Sequence, residues 1–136
     1  MNRKVAVIPC SGIGKALGSV TREAAYHLCE DLRPDRTDLV ALSKLVLGEE
    51  LARERVRNNP AVTIDGCQQM CAAKLVRLSG GNIAREVAVF EAFRRYKDLK
   101  PEGIAELNEP GKQLARALAA EIAADVDQLA EGGPHA

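Results

Sequence analysis

The stretch Lys4-Val5-Ala6-Val7-Ile8-Pro9-Cys10-Ser11-Gly12 decides the reading of the fold. A continuous apolar run of this length suits a strand buried on both faces of a sheet. Pro9 to Gly12 then reads as a turn. Beyond it Ala16 or Leu17, Val20, Ala24 or Ala25 and Leu28 recur at spacings of three and four, the apolar stripe of a helix. That helix extends to about Leu32 and closes before Pro34, because proline disfavours helical geometry in the residue it follows. A restart at Thr21 as a cap is an open alternative for its first boundary.

The same strand–turn–helix unit returns further along. Ala61 to Ile64 is a strand that ends at Asp65-Gly66-Cys67, and a helix is expected from about Gln68 to Leu78. Between the two units lie a short strand over Asp38–Leu42 and a helix over Glu49–Val56, which Asn58-Asn59-Pro60 stops; Leu45 to Leu47 can add a helical turn. Ile83–Phe90 supplies a fourth strand and Glu91–Tyr96 a short helix. Pro101–Asn108 is a connector. From Gly111 to Leu129, Leu114, Leu118, Ile122, Val126 and Leu129 form one stripe in an alanine-rich helix. Strands that alternate with helices and carry continuous apolar cores indicate a three-layer α/β fold. The expected architecture is a mostly parallel sheet of about four strands flanked by helices, Rossmann-like or flavodoxin-like. Residues 1–131 read as a single domain and 132–136 as a flexible tail.

The 136 residues suffice to bury a core without a metal or disulfide to help. Lys and Arg number 19, as do Asp and Glu, so the net charge is zero and there is no electrostatic case for nucleic acid. No apolar run approaches the ~20 residues that span a bilayer, and the apolar start is too short for a signal-peptide core. A cytoplasmic location is therefore expected, and with it four reduced cysteines rather than two disulfides. The partner, protein or small molecule, and the oligomeric state are not legible.

Cys10 and Cys67 occupy equivalent places, each just after a strand. Ligand sites in parallel sheets lie beyond the carboxyl ends of the strands. Cys71 stands four residues after Cys67, and a helix beginning near Cys67 would put both on one face. Cys10, Cys67 and Cys71 are thus the candidate metal ligands; zinc, which accepts thiolates in tetrahedral geometry, is one ion they suit, and these residues by themselves do not choose the ion. Copper(I) and iron–sulfur chemistry use the same donors. Asp65 is a candidate to support the ligands, or else to cap the following helix. Cys29 falls beside Leu28 inside the first helix and reads as core packing.

The turn Ser11-Gly12-Ile13-Gly14-Lys15 superficially resembles a phosphate loop. The full pattern is missing: residue 16 is Ala, and Gly18 comes one place late for a dinucleotide fingerprint. Ser11, Gly12, Gly14 and Lys15 remain a weak anion-site candidate, since a glycine turn that feeds a helix presents backbone N–H groups. A nucleophilic Cys10 of the phosphate-transfer type would want an arginine to close the loop; Ala16 stands at that place and Arg22 follows only later. No histidine is well placed as a general base: His135 is in the tail and His27 reads as a surface residue.

Asp65-Gly66-Cys67-Gln68-Gln69-Met70-Cys71-Ala72, together with Cys10-Ser11-Gly12-Ile13-Gly14-Lys15 and Gly18-Ser19, resembles the DGC-domain family across roughly residues 4–126. The resemblance implies zinc held by four cysteines, of which Cys10, Cys67 and Cys71 match. The fourth would fall in Leu39–Ser43, where this chain has none. A zinc-binding protein with a three-cysteine site is the leading expectation. A thiol-dependent redox or transferase enzyme that uses Cys10, Cys67 or Cys71 is the first alternative, and a non-catalytic interaction module the second.

Overall fold

The computed structural model describes residues 3–12, 15–103 and 106–132. In chain order the elements are β1 Val5–Pro9, α1 Ala16–Tyr26, β2 Thr37–Leu39, α2 Leu42–Val46, α3 Glu50–Asn58, β3 Ala61–Asp65, α4 Cys71–Leu78, β4 Ile83–Ala88, α5 Val89–Ala92 and α6 Glu109–Ala130. A π-helical turn over His27–Leu32 prolongs α1. The four strands form one wholly parallel sheet in the order β2-β1-β3-β4, which is the flavodoxin-like arrangement among the two expected.

Alternate residues of the central strands feed two cores, as the two-residue period of a strand requires. Val5 and Val7 of β1 and Val62 and Ile64 of β3 pack against α1 and α6, with Leu28, Leu114, Leu118, Ile122 and Leu129 inside. Ala6, Ile8 and Ala61 face the other way, toward Leu42, Leu45, Ala52, Val56, Ala72 and Val76 of α2, α3 and α4. Helices thus cover both faces, and the three-layer α/β expectation holds.

Several boundaries differ from the sequence reading. The second strand stops at Leu39, because Leu42 and Leu45 bury one face of α2 instead. The fourth stops at Ala88; Val89 and Ala92, three apart and both buried, already belong to α5. The last helix begins two residues early, since Asn108 caps it by accepting the Gly111 N–H at 2.9 Å and Pro110 fits its first turn. Of the tail expected at 132–136, residues 133–136 lie outside the described residues. No helix among the described residues is long and apolar enough to cross a membrane.

The order β2-β1-β3-β4 fixes where a site belongs. The chain leaves β1 toward one edge of the sheet and leaves β3 toward the other. The carboxyl ends of β1 and β3 therefore flank the topological switch point, where such sheets open a crevice. Cys10 follows β1 directly, and Gly66-Cys67 follows β3.

Candidate thiol site at the sheet edge

Three glycines bring the two strand ends together. A Cβ on Gly12 would stand 2.3 Å from the Gly18 Cα, and one on Gly18 would stand 2.1 Å from the Gly12 oxygen. A Cβ on Gly66 would lie 3.0 Å from the carbonyl carbon and oxygen of Leu17. All these neighbours are backbone atoms, so no side-chain rotation relieves the crowding. Gly12, at φ +53°, also takes a left-handed conformation that suits glycine. Gly18 is thus the residue by which α1 packs against the loop after β1, and Gly66 the one by which the loop after β3 packs against α1.

Inside this contact Cys10 is buried, only 8% exposed. Its Sγ accepts the Gly66 N–H at 3.4 Å, a hydrogen bond from one strand end to the other. The Thr21 Oγ1 lies 3.4 Å from the same sulfur. That hydroxyl donates to the Gly18 carbonyl at 2.6 Å, its shortest contact. The Cys10 carbonyl lies 3.3 Å from the same hydroxyl, and in the contact with the sulfur either the hydroxyl or the thiol can be the donor. To serve a thiolate, Thr21 would turn its proton from Gly18 to the sulfur.

Cys67 is half-buried and lines the same small cavity as Cys10, about 180 Å³, with Lys15, Ala16, Leu17 and the three glycines around it. The expectation that Cys67 and Cys71 share a helical face does not hold. Residues 67–70 form a turn in which the Met70 N–H reaches the Cys67 carbonyl at 3.2 Å. Met70 then takes a left-handed conformation at φ +51°, and α4 starts only at Cys71. Cys71 is exposed on the first turn of α4, outside the cavity.

Asp65 explains why α4 begins there. Its carboxylate, 1% exposed, accepts the Ala72 N–H at 2.8 Å and the Ala73 N–H at 3.1 Å. It therefore satisfies two of the orphan donors of the helix from the end of β3. Burial pushes its carboxyl above the ordinary value, and the two N–H donors offset part of that. Of the two roles open to Asp65, capping is the one its contacts fill.

All four cysteines are free thiols. Cys29 packs against the α1/α6 core, and burial raises its thiol above the ordinary value. His27 pairs with Asp31 at 2.9 Å and lines neither cavity that Cys10 borders. Among the anion-site candidates, Ser11, Gly12 and Lys15 line the strand ends, while Gly14 lies outside the described residues. The segment expected to carry a fourth cysteine does approach Cys10: Ala41, Leu42 and Ser43 line a second cavity on its other side, about 450 Å³.

The donor set suits a thiophilic ion in its chemistry, with two sulfurs on one cavity and the nearest carboxylate engaged elsewhere. In geometry it is incomplete: among the described residues no three His, Cys, Asp or Glu groups gather closely enough to hold a metal ion.

A parallel doubly wound domain with thiols at its switch point is the class that the fold and the site define. The chain matches the DGC domain over residues 6–110, and it belongs to that family. No curated protein and no solved structure gives a significant match. The matched span ends just as α6 begins, so the helix that completes the larger core lies almost wholly beyond it.

Proposed function

We propose that this chain binds a thiophilic metal ion, zinc in the first place, through Cys10 and Cys67 with Cys71 as the third ligand. The observation that carries this reading is the shared cavity of Cys10 and Cys67 at the switch point, held together by glycine contacts between loops far apart in sequence. A stable hydrophobic core gives no reason to converge two free thiols there. Cys71 is the ligand that has to move. It stands at the end of a five-residue loop, Gly66 to Met70, whose Gln68 and Gln69 are exposed. Drawing Cys71 inward would rearrange that turn and leave the strand ends in place. A fourth position would go to water or to another small donor, as in open zinc sites.

The test is metal stoichiometry on protein purified without a metal-affinity tag, before and after zinc addition. The reading predicts one zinc per chain, lost in Cys10→Ser and Cys67→Ser and kept in Cys29→Ser. No zinc uptake by the fully reduced protein would sink it.

A second reading has one observation in its favour. Cys10 also borders the 450 Å³ cavity with Ser11, Arg22 and Tyr26, which is room for a small substrate beside a thiol. A thiol-dependent enzyme would then show one cysteine alkylated far faster than the rest, with Cys10 or Cys67 carrying the label.

A further inference from the structure

The larger cavity beside Cys10 has a consistent chemistry. It is lined by Pro9, Cys10, Ser11, Arg22, Tyr26 and Ala41 to Ser43, and no carboxylate is among them. Arg22 rises from the second turn of α1, and helical side chains lean toward the N-terminus of their helix. Its guanidinium accordingly returns to the loop after β1. The Nη1 donates to the Ser11 carbonyl, and the Nη2 donates to the Ser19 Oγ at 3.2 Å. Arg22 forms no ion pair with any described residue. A guanidinium carries five N–H donors, so three are left over. The Ser11, Ser43 and Tyr26 hydroxyls, which border the same cavity, have no hydrogen-bond partner among the described residues.

We infer that this cavity is a binding subsite for the oxyanion of a small organic acid, a carboxylate or a phosphate monoester. Arg22 supplies the charge and a planar fork of donors that matches such a group. Ser11, Ser43 and Tyr26 supply neutral donors around it. Pro9, Leu42 and the Tyr26 ring offer an apolar wall for the rest of the molecule. The volume, about 450 Å³, falls within the range of small-molecule sites. This subsite is distinct from the glycine turn at Gly12–Lys15, since its cation is Arg22 and its donors are side chains. It shares Cys10 with the proposed zinc site, but neither Cys67 nor Cys71 lines it, and its anion-binding groups are other side chains.

The experiment is an amide and arginine-side-chain NMR titration of the full chain with inorganic phosphate, and separately with acetate, at constant ionic strength. The inference predicts saturable shifts at Ser11, Arg22 Nε and Ser43 with at least one of the two anions. Phosphate alone would indicate a phosphate monoester; acetate as well would extend the class to carboxylates. Arg22→Gln should weaken binding at least tenfold. Arg22→Lys, which keeps the charge and loses the fork, should weaken it less and serves if the Gln variant fails to fold. Cys67→Ser should leave the titration unchanged even where it abolishes zinc uptake. Three results would overturn the inference: no saturable shift with either anion, the same shifts with sodium chloride alone, or shifts centred on Lys15 and the start of α1 that Arg22→Gln leaves intact.

Discussion

Replacing Gly18 with alanine tests how the two strand ends are held. In an ordinary helix interior this change gains about 1 kcal/mol, because alanine is the better helix former. Here the new Cβ would stand 2.1 Å from the Gly12 oxygen and 2.4 Å from the Gly12 Cα. Carbon atoms in good contact sit roughly 3.5–4.0 Å apart, so the loop after β1 would have to retreat by more than about 1 Å. Overpacking of a filled site costs about 1–3 kcal/mol. With backbone on both sides the upper part of that range applies, and the propensity gain offsets some of it. The net expectation is a loss of about 2 kcal/mol, read from urea unfolding with an unchanged slope. The loop that retreats carries Cys10, so its thiol should also react faster with a disulfide reagent in the native protein. A Gly18→Ala protein as stable as the wild type, or stabilised by the helix-propensity gain, would refute the glycine contact as the device that closes the switch point.

Three further outcomes follow from the same geometry. Leu118→Ala, in the centre of the α6 stripe and 1% exposed, should cost about 2–5 kcal/mol in the same unfolding assay; a loss below 1 kcal/mol would mean that α6 is not needed to close the core. Asp65 should titrate above its unfolded value of 3.8 by carboxyl-carbon NMR, because burial outweighs its two N–H donors. The protonation-linked part of its contribution to stability is then fullest below that unfolded value and is lost as pH rises through the folded one, while the two N–H contacts still hold the carboxylate; a depressed midpoint would contradict the account. In the metal-free native protein, disulfide-reagent kinetics should modify the exposed Cys71 first, then the half-buried Cys67 ahead of the half-buried Cys29, whose thiol burial raises, and the buried Cys10 last, converging to one rate in urea; an early Cys10 would contradict its burial.

The strand–turn–helix units were legible because they are local. VAVI before Pro9 and AVTI before Asp65 are apolar runs that end in turns, and both appear as buried central strands. The stripe of α6 was legible for the same reason. Gly18 was not, because its role depends on Gly12 and on Gly66, which lies 48 positions away in the chain and meets it only through the fold. Read against a nucleotide fingerprint it was merely out of place. Counting positions puts Arg22 too far along the chain to close the Cys10 loop, yet the lean of helical side chains returns it to Ser11. The late start of α4 was hidden as well. Gln68 and Gln69 are good helix formers, and propensity favours an earlier start. The Asp65 carboxylate overrides it by fixing the Ala72 and Ala73 N–H groups, and Met70 in a left-handed conformation keeps Cys67 out of the helix. That cap is what separates the second thiol from the third.

Whether those thiols act together is measured most directly by X-ray absorption at the zinc edge on stoichiometrically loaded protein. Three sulfur neighbours at about 2.3 Å, reduced to two in Cys71→Ser, are the predicted result. A shell made only of nitrogen and oxygen, or a sulfur count that Cys10→Ser and Cys67→Ser leave unchanged, would contradict it.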